Sequence, residues 1–328
     1  MWKDNSKFAL LNSLDLSDYR VEHVAQPTLS MLGFGSKTPG SMVLIEAGQA
    51  GQEIIFRGKS NHEVAMWVDV IREIKRRYLY PLSKHVPSHT GLGGLVFHQG
   101  DGSGGNGLTL SPASGNYSSV FVWLHGLGDT PFSWYGTMAQ FAIRSMPDTR
   151  FVLPLAPTRK ITVYHGTQMH AWYDIFGLDD KSVQDRTRIE ESTERINTII
   201  NEQALSAGVK PCRVAIGGFS LGGALALHVV LRSKHKLAGC AVASGWLPLE
   251  MDYPEKLSAE ACKTPICMYG LSDRRVPVGF ARRTHSRLSA DLKLAVAFHT
   301  YDGLGHSTCA SEMVRIGQFV TAAMCRSR

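Results

Sequence analysis

Three residues have the types and settings that nucleophilic catalysis needs: Ser220 in GGFSLGG, Asp273 in LSDRRVP and His306 in DGLGHSTC. A serine hydroxyl attacks poorly at neutral pH unless a base takes its proton, and the base needs an acid to orient it. Ser220 is the centre of Gly218-Phe219-Ser220-Leu221-Gly222, a G-x-S-x-G pentapeptide. Before it runs RVAIGGF, which reads as a strand, and after it LGGALALHVVLR, which reads as a helix. That strand-to-helix setting is the context the motif requires. The glycines let the turn tighten and the helix approach the strand. The hydroxyl then stands at a helix N-terminus, where the dipole and free N–H groups favour developing negative charge. The plain alternative is a glycine-softened helix start with serine as an ordinary cap. In a chain with 32 glycines the pentapeptide alone decides little, and the setting carries the reading.

On α/β sheets the chain order of such a triad is Ser, then Asp or Glu, then His. Asp273 follows the apolar run TPICMYG, and His306 follows LAVAFHTY in a glycine-flanked loop. Catalytic groups in open α/β sheets gather beyond the carboxyl ends of the strands, so all three belong on one edge. An oxyanion hole needs two donors. One is the backbone N–H of Leu221, next after the nucleophile, and the other is assigned to Leu127 in the glycine-rich loop LHGLGDT. In that loop His125 reads as a hydrogen-bonding brace and Asp129 as a capping or loop-bracing residue.

The elements that must position these groups alternate from residue 119 onward. VFVWLH, RFVLPLA, RVAIGGF, LAGCAVAS, TPICMYG and LAVAFHTY are apolar strands without polar alternation, the pattern of strands buried on both faces of a parallel sheet. Helices fall around residues 134–145, 184–206, 221–233, 277–289 and 310–325. Ile189, Ile196, Ile199 and Ile200 share one face of the second. LVFH and LTLS form a short hairpin ahead of this series. Repeated βα units imply a three-layer α/β domain, a mostly parallel sheet with helices on both faces.

With 328 residues and 44% apolar composition, a sizeable core is expected. The formal charge of +7 is mildly basic, and no dense basic block argues for nucleic acid. Six cysteines at 212, 240, 262, 267, 309 and 325 show no CxxC or Cys/His spacing for zinc. The first twenty residues carry charges throughout and lack the apolar core of a signal peptide, and no apolar run approaches a membrane span. The expected setting is a reducing cytoplasm.

VWLHGLGDT, LPLAPTR, AWYDIFGL, GGFSLGGALAL, LAGCAVASGWLP, the aspartate of LSDRRVP and YDGLGHSTC occur in the order seen in the cytosolic acyl-protein thioesterases and their carboxylesterase and lysophospholipase relatives. Residues 118–325 resemble that family, and the resemblance implies the α/β-hydrolase fold. It carries the triad to Ser220, Asp273 and His306 and the oxyanion donors to Leu127 and Leu221. It implies acylated proteins, lysophospholipids or short carboxylic esters as substrates, and no cofactor or metal. In the family the loop between LPLAP and the next helix lines an acyl-binding groove. Here that segment, residues 155–182, contains Tyr164, Met169, Trp172, Tyr173, Ile175 and Phe176. Trp172 is the first candidate for a lining residue and Trp246 of SGWLP the second; the bland reading is that both seal the edge of the core. The sequence departs from the family in having Leu221 where glutamine is usual, which predicts a more apolar pocket wall. It also has Arg274 and Arg275 after the acid, and Ala171 where serine commonly precedes the tryptophan.

The front of the chain differs. LNSLDLSDYRVE, SMVLIEAG and QEIIFRGKSNHEVAMWVDVIREIK resemble the back half of a pleckstrin-homology domain, with Trp67 in a final helix. The early strands, and with them a basic phosphoinositide loop, are absent, so a truncated start and a remnant packed on the second domain both stay open. Arg72, Lys75, Arg76 and Arg77 read as the solvated end of that helix. The expected organisation is a pleckstrin-homology-like segment over residues 1–78, a linker over 79–91 and an α/β-hydrolase domain over 92–328. The leading reading is a serine esterase or thioesterase. The alternative is a membrane- or protein-binding module on a catalytically silent scaffold, and peripheral membrane contact is open under either.

Overall fold

The computed structural model describes residues 19–24, 42–47, 53–57, 95–101, 105–177, 182–271, 278–301 and 306–325. The chain divides into two compact units, Met1–Pro87 and Ser88–Arg328. The join falls inside the stretch 79–91 that we propose as a linker. In the first unit β1 (Tyr19–Val24), β2 (Met42–Ala47) and β3 (Glu53–Arg57) pair antiparallel in sequence order. β2 and β3 are the two strands read from SMVLIEAG and QEIIFRG, paired from Met42–Arg57 to Glu46–Glu53. The helix expected around Trp67 and its basic end at residues 72–77 lie outside the described residues.

The second unit runs β4 (Leu95–Gln99), β5 (Gly107–Pro112), β6 (Ser119–Leu124), α1 (Phe132–Arg144), β7 (Thr149–Pro154), a small hairpin of β8 (Thr158–Ile161) and β9 (Thr167–His170), then α2 (Arg186–Ile200). It continues with β10 (Val214–Phe219), α3 (Leu221–Leu231), β11 (Gly239–Ala243), β12 (Ile266–Leu271), α4 (Val278–Ser286), β13 (Val296–Tyr301) and α5 (Ala310–Cys325). Eight strands make one sheet in the order β13-β12-β11-β10-β6-β7-β5-β4. From β13 to β7 all neighbours are parallel, while β5 runs against both β7 and β4.

Strand alternation sorts the core into two layers. Val120, Val122 and Leu124 of β6 face one way, towards Ile189, Ile196, Ile199 and Ile200 of α2 and Leu225 of α3. Phe121 and Trp123 face the other way, towards Met138 and Phe141 of α1 and Ile316 and Val320 of α5. The shared isoleucine face read from the sequence is therefore the seam of α2 against the sheet. Every residue of α3 is buried, which accounts for its lack of a polar face. LAVAFHTY departs from expectation. As β13 it is the edge of the sheet, and all six of its residues keep some exposure, because no strand among the described residues pairs with its outer side. None of the described helices is long and apolar enough to cross a membrane.

Candidate active site

β10 ends at Phe219 and α3 begins at Leu221, which leaves Ser220 alone in the turn. Its backbone is in the left-handed region, φ 53° and ψ −119°. A non-glycine residue held there stores about 1–3 kcal/mol of strain and persists only when its surroundings over-determine it. Two hydrogen bonds do so: Ser220 N–H donates to Ala243 O of β11 (2.8 Å), and Ala224 N–H donates to Ser220 O (2.9 Å). The glycines around the turn are required by contact. A Cβ on Gly218 would lie 2.7 Å from Leu124 O, and one on Gly222 would fall on the carbonyl oxygens of Leu124 and His125. These are backbone atoms at the end of β6 and the start of the loop after it, so neither neighbour can yield. We expect Gly222→Ala to cost about 3 kcal/mol of stability and to lower Tm by roughly 5–10 °C. Gly136→Ala on exposed α1, where nothing lies within 4 Å, should instead raise it slightly. Thermal melts of the two variants beside the parent check the contrast.

The residue expected as base lies beside the serine. His306 Nε2 lies 3.0 Å from Ser220 Oγ, across 86 residues of sequence. Beneath the imidazole is the ring of Phe219, 4.9 Å between centroids and tilted by 41°. Phe219 in turn packs on Trp134 of α1 (5.6 Å), which packs on Trp123 of β6 (5.0 Å). The Trp134 indole N–H donates to Asp129 Oδ2 at 2.9 Å, while Asp129 Oδ1 accepts from Thr130 N–H at 2.8 Å and from the Ser133 hydroxyl. Asp129 thus ties its loop to the first turn of α1, as a bracing residue should. Phe219 as the shelf for the base was not singled out from the sequence; its place beside the nucleophile in the pentapeptide was the available signal. Asp273 lies outside the described residues.

The loop after β6 crosses the nucleophile closely: a Cβ on Gly126 would come within 3.5 Å of Ser220 Cβ. His125 is buried beneath it. Its Nε2 accepts from Ala156 N–H (3.0 Å), so Nδ1 carries the proton and donates to Gly126 O (2.8 Å). Burial pulls its pKa down to about 4, which keeps the ring neutral near pH 7. With both nitrogens engaged, His125 braces the loop and has no free site for proton transfer. Further along, Gly128 N–H donates to His170 O of β9 (2.8 Å) and Asp129 N–H to Gly126 O (3.2 Å). Between them the Leu127 N–H has no acceptor among the described residues. Leu221, as the first residue of α3, has an N–H without an intrahelical acceptor. Both expected oxyanion donors are backbone amides, Leu221 next to Ser220 in the chain and Leu127 next to Gly126, which approaches Ser220.

Two expectations for the groove change. Trp172 is completely buried and presents no surface to a ligand. Its indole N–H donates to His125 O (2.8 Å), its carbonyl accepts from Ser192 Oγ (2.5 Å), and the Arg195 guanidinium lies 5.9 Å over its ring. It supports the oxyanion loop from below, a role its side chain's hydrogen bond makes possible and its sequence position does not reveal. Leu221 is also wholly buried, its side chain in the core rather than on a pocket wall. Trp246 is only partly buried, in the turn after β11 on the nucleophile's edge of the sheet, and Leu127 and Met169 are likewise partly exposed.

The sequence profile of the phospholipase/carboxylesterase family matches residues 109–324, which span most of the second unit. The chain belongs to this family. It is 34% identical over 221 residues to acyl-protein thioesterase 1 of Neurospora crassa, covering 65% of this chain and 89% of that protein. It is 33% identical over 219 residues to a probable inactive carboxylesterase of Oryza sativa subsp. japonica, covering 64% and 86%. Among solved structures it is similar to SOBER1 of Arabidopsis thaliana, with a TM-score of 0.60 and 30% identity over 63% of this chain and 99% of that one. The α/β-hydrolase fold expected for the second unit is the fold observed.

Proposed function

We propose that the chain is a serine hydrolase that cleaves acyl thioesters or carboxylic esters through an acyl-Ser220 intermediate, with His306 as base, Asp273 as its orienting acid and the N–H groups of Leu127 and Leu221 as oxyanion donors. Ser220 Oγ attacks the acyl carbonyl as His306 Nε2 takes its proton. The tetrahedral oxyanion turns towards the two amides, each typically worth about 3–4 kcal/mol in the transition state. Collapse expels the thiolate or alkoxide, which leaves with the proton from His306. Water, deprotonated by the same imidazole, then releases the acid and restores the hydroxyl. Asp273 holds the imidazole in the tautomer with Nε2 unprotonated and supports its cationic form.

The observation that carries this reading is the 3.0 Å contact of Ser220 Oγ with His306 Nε2 at a strained strand-to-helix turn. Likeness to acyl-protein thioesterase 1 supports acylated proteins as substrates, and the family's name supports phospholipids and carboxylic esters. Trp246, Leu127 and Met169 are the side chains we assign to the acyl site, with Trp172 as their support.

A turnover series of esters and thioesters, from short acyl chains to palmitoyl, tests the reading. Both bond types should be hydrolysed, with kcat/KM rising by up to about fourfold per methylene until the acyl site is filled. The rice relative favours one competing reading, a silent scaffold serving as a binding module. Absence of turnover across the whole series, from folded protein, would decide for it.

A further inference from the structure

Glu312 is the third residue of α5 and is completely buried. Met313 N–H donates to Cys309 O (3.0 Å), so Cys309 caps the helix. A glutamate at this spacing turns back towards the cap's own N–H, as in a capping box. Such boxes are ordinarily wet, whereas this carboxyl is buried, with Tyr269 of β12 and Tyr301 of β13 close enough to interact with it. Neither carboxyl oxygen has a hydrogen-bond partner of good geometry among the described residues, and the same is true of the buried Tyr301 hydroxyl at the end of β13. The Tyr269 and Tyr301 rings stack at 6.5 Å and 23°.

This cluster sits at the roots of the catalytic loops. The chain leaves β13 at Tyr301 and re-enters α5 at Ala310, and His306 lies on the span between. The titratable and charged groups around the carboxyl are Cys267 and Tyr269 from β12, Tyr301 from β13, Cys309 at the cap and Arg315 from α5. Burial pushes the Glu312 carboxyl up to about 7, opposed by the Cys309 N–H, and the same burial pushes both phenols up.

We propose that Glu312 is a positioning residue for His306: its neutral carboxyl packs under the first turn of α5 and fixes the loop that carries the imidazole, and loss of its proton slackens that loop and slows acylation of Ser220. The physical reason is that a carboxylate in a buried site where neither oxygen accepts a hydrogen bond of good geometry from the described residues is costly. The charge is relieved by drawing the side chain towards water, which shifts the cap three residues from His306. The proposal rests on the Ser220–His306 reading given above.

The test compares the full wild-type chain with Glu312→Gln, a neutral isostere, over roughly pH 5 to 9. The readouts are the rate of Ser220 labelling by a fluorophosphonate, kcat/KM for a short ester, and Tm. In the wild type the rates should rise as His306 loses its proton and fall again on the alkaline side. In the variant they should rise alike and stay high, reaching about a tenfold advantage at the alkaline end and none at the acid end. The sign for stability follows from a folded pKa raised from 4.5 to about 7. The folded chain holds the extra proton, so wild-type stability falls as pH rises through that window and is level beyond it. The Tm difference in favour of the variant should open over the same window; contributions from other groups cancel in the difference. Superimposable rate profiles from a labelled wild type overturn this proposal alone. A wild type that takes no label at any pH overturns the functional reading and this proposal with it. Should the variant fail to fold, a carbon-13 carboxyl titration of the wild type decides: a Glu312 midpoint below about 5 overturns the proposal.

Discussion

Ser220→Ala should abolish covalent labelling by fluorophosphonates and lower kcat by about 10⁶-fold, while the protein stays folded. The substitution removes one oxygen from a side chain that is nearly buried and makes no cap bond to α3. The turn's own hydrogen bonds run through backbone atoms, to Ala243 O and from Ala224 N–H, and survive. His306 keeps its shelf on Phe219 and the two amides keep their places, so the variant should bind substrate and fail only at bond making. Labelling and turnover on protein with an unchanged melting curve provide the check. Label retained by the folded variant would move the nucleophile elsewhere in the chain.

Asp273→Asn should lower kcat by up to about 10⁴-fold, with KM much less affected. An asparagine in place of the acid offers the imidazole an N–H donor, which favours the tautomer with the proton on Nε2. That proton would point at Ser220 Oγ across the 3.0 Å contact and leave the ring unable to accept. Steady-state kinetics of the purified variant measure the effect, and a loss below tenfold would point to another acid as the partner of His306.

The strand-to-helix turn at Ser220 was legible because its evidence is local. A serine that must sit at a strained turn against a neighbouring backbone requires glycine at 218 and 222, and those glycines stand in the sequence. The α2 seam was legible for the same reason, since isoleucines at helical spacing have few other uses. Trp172 was not: the same apolar side chain can line a groove or lie under it, and only the packing of the oxyanion loop and α2 decides. Strand β13 was misread because its composition matches that of a central strand, while its edge position depends on sheet order, which no local pattern carries. Glu312 was invisible for the opposite reason. A glutamate in a first helical turn is the ordinary sign of an exposed cap, and its burial beside Tyr269 of β12 and Tyr301 of β13 depends on tertiary packing that no local pattern carries.

The two side chains proposed to react are carried at different depths of the sheet. Ser220 leaves the fourth strand in, between two full layers and ahead of a helix with no exposed residue, so the attacking oxygen has almost no latitude. His306 follows the outermost strand of the described sheet, whose residues all keep some exposure. On the proposed mechanism, tolerance for leaving groups of different size and bond length would come from His306 tracking them, with Ser220 as the fixed point of reference.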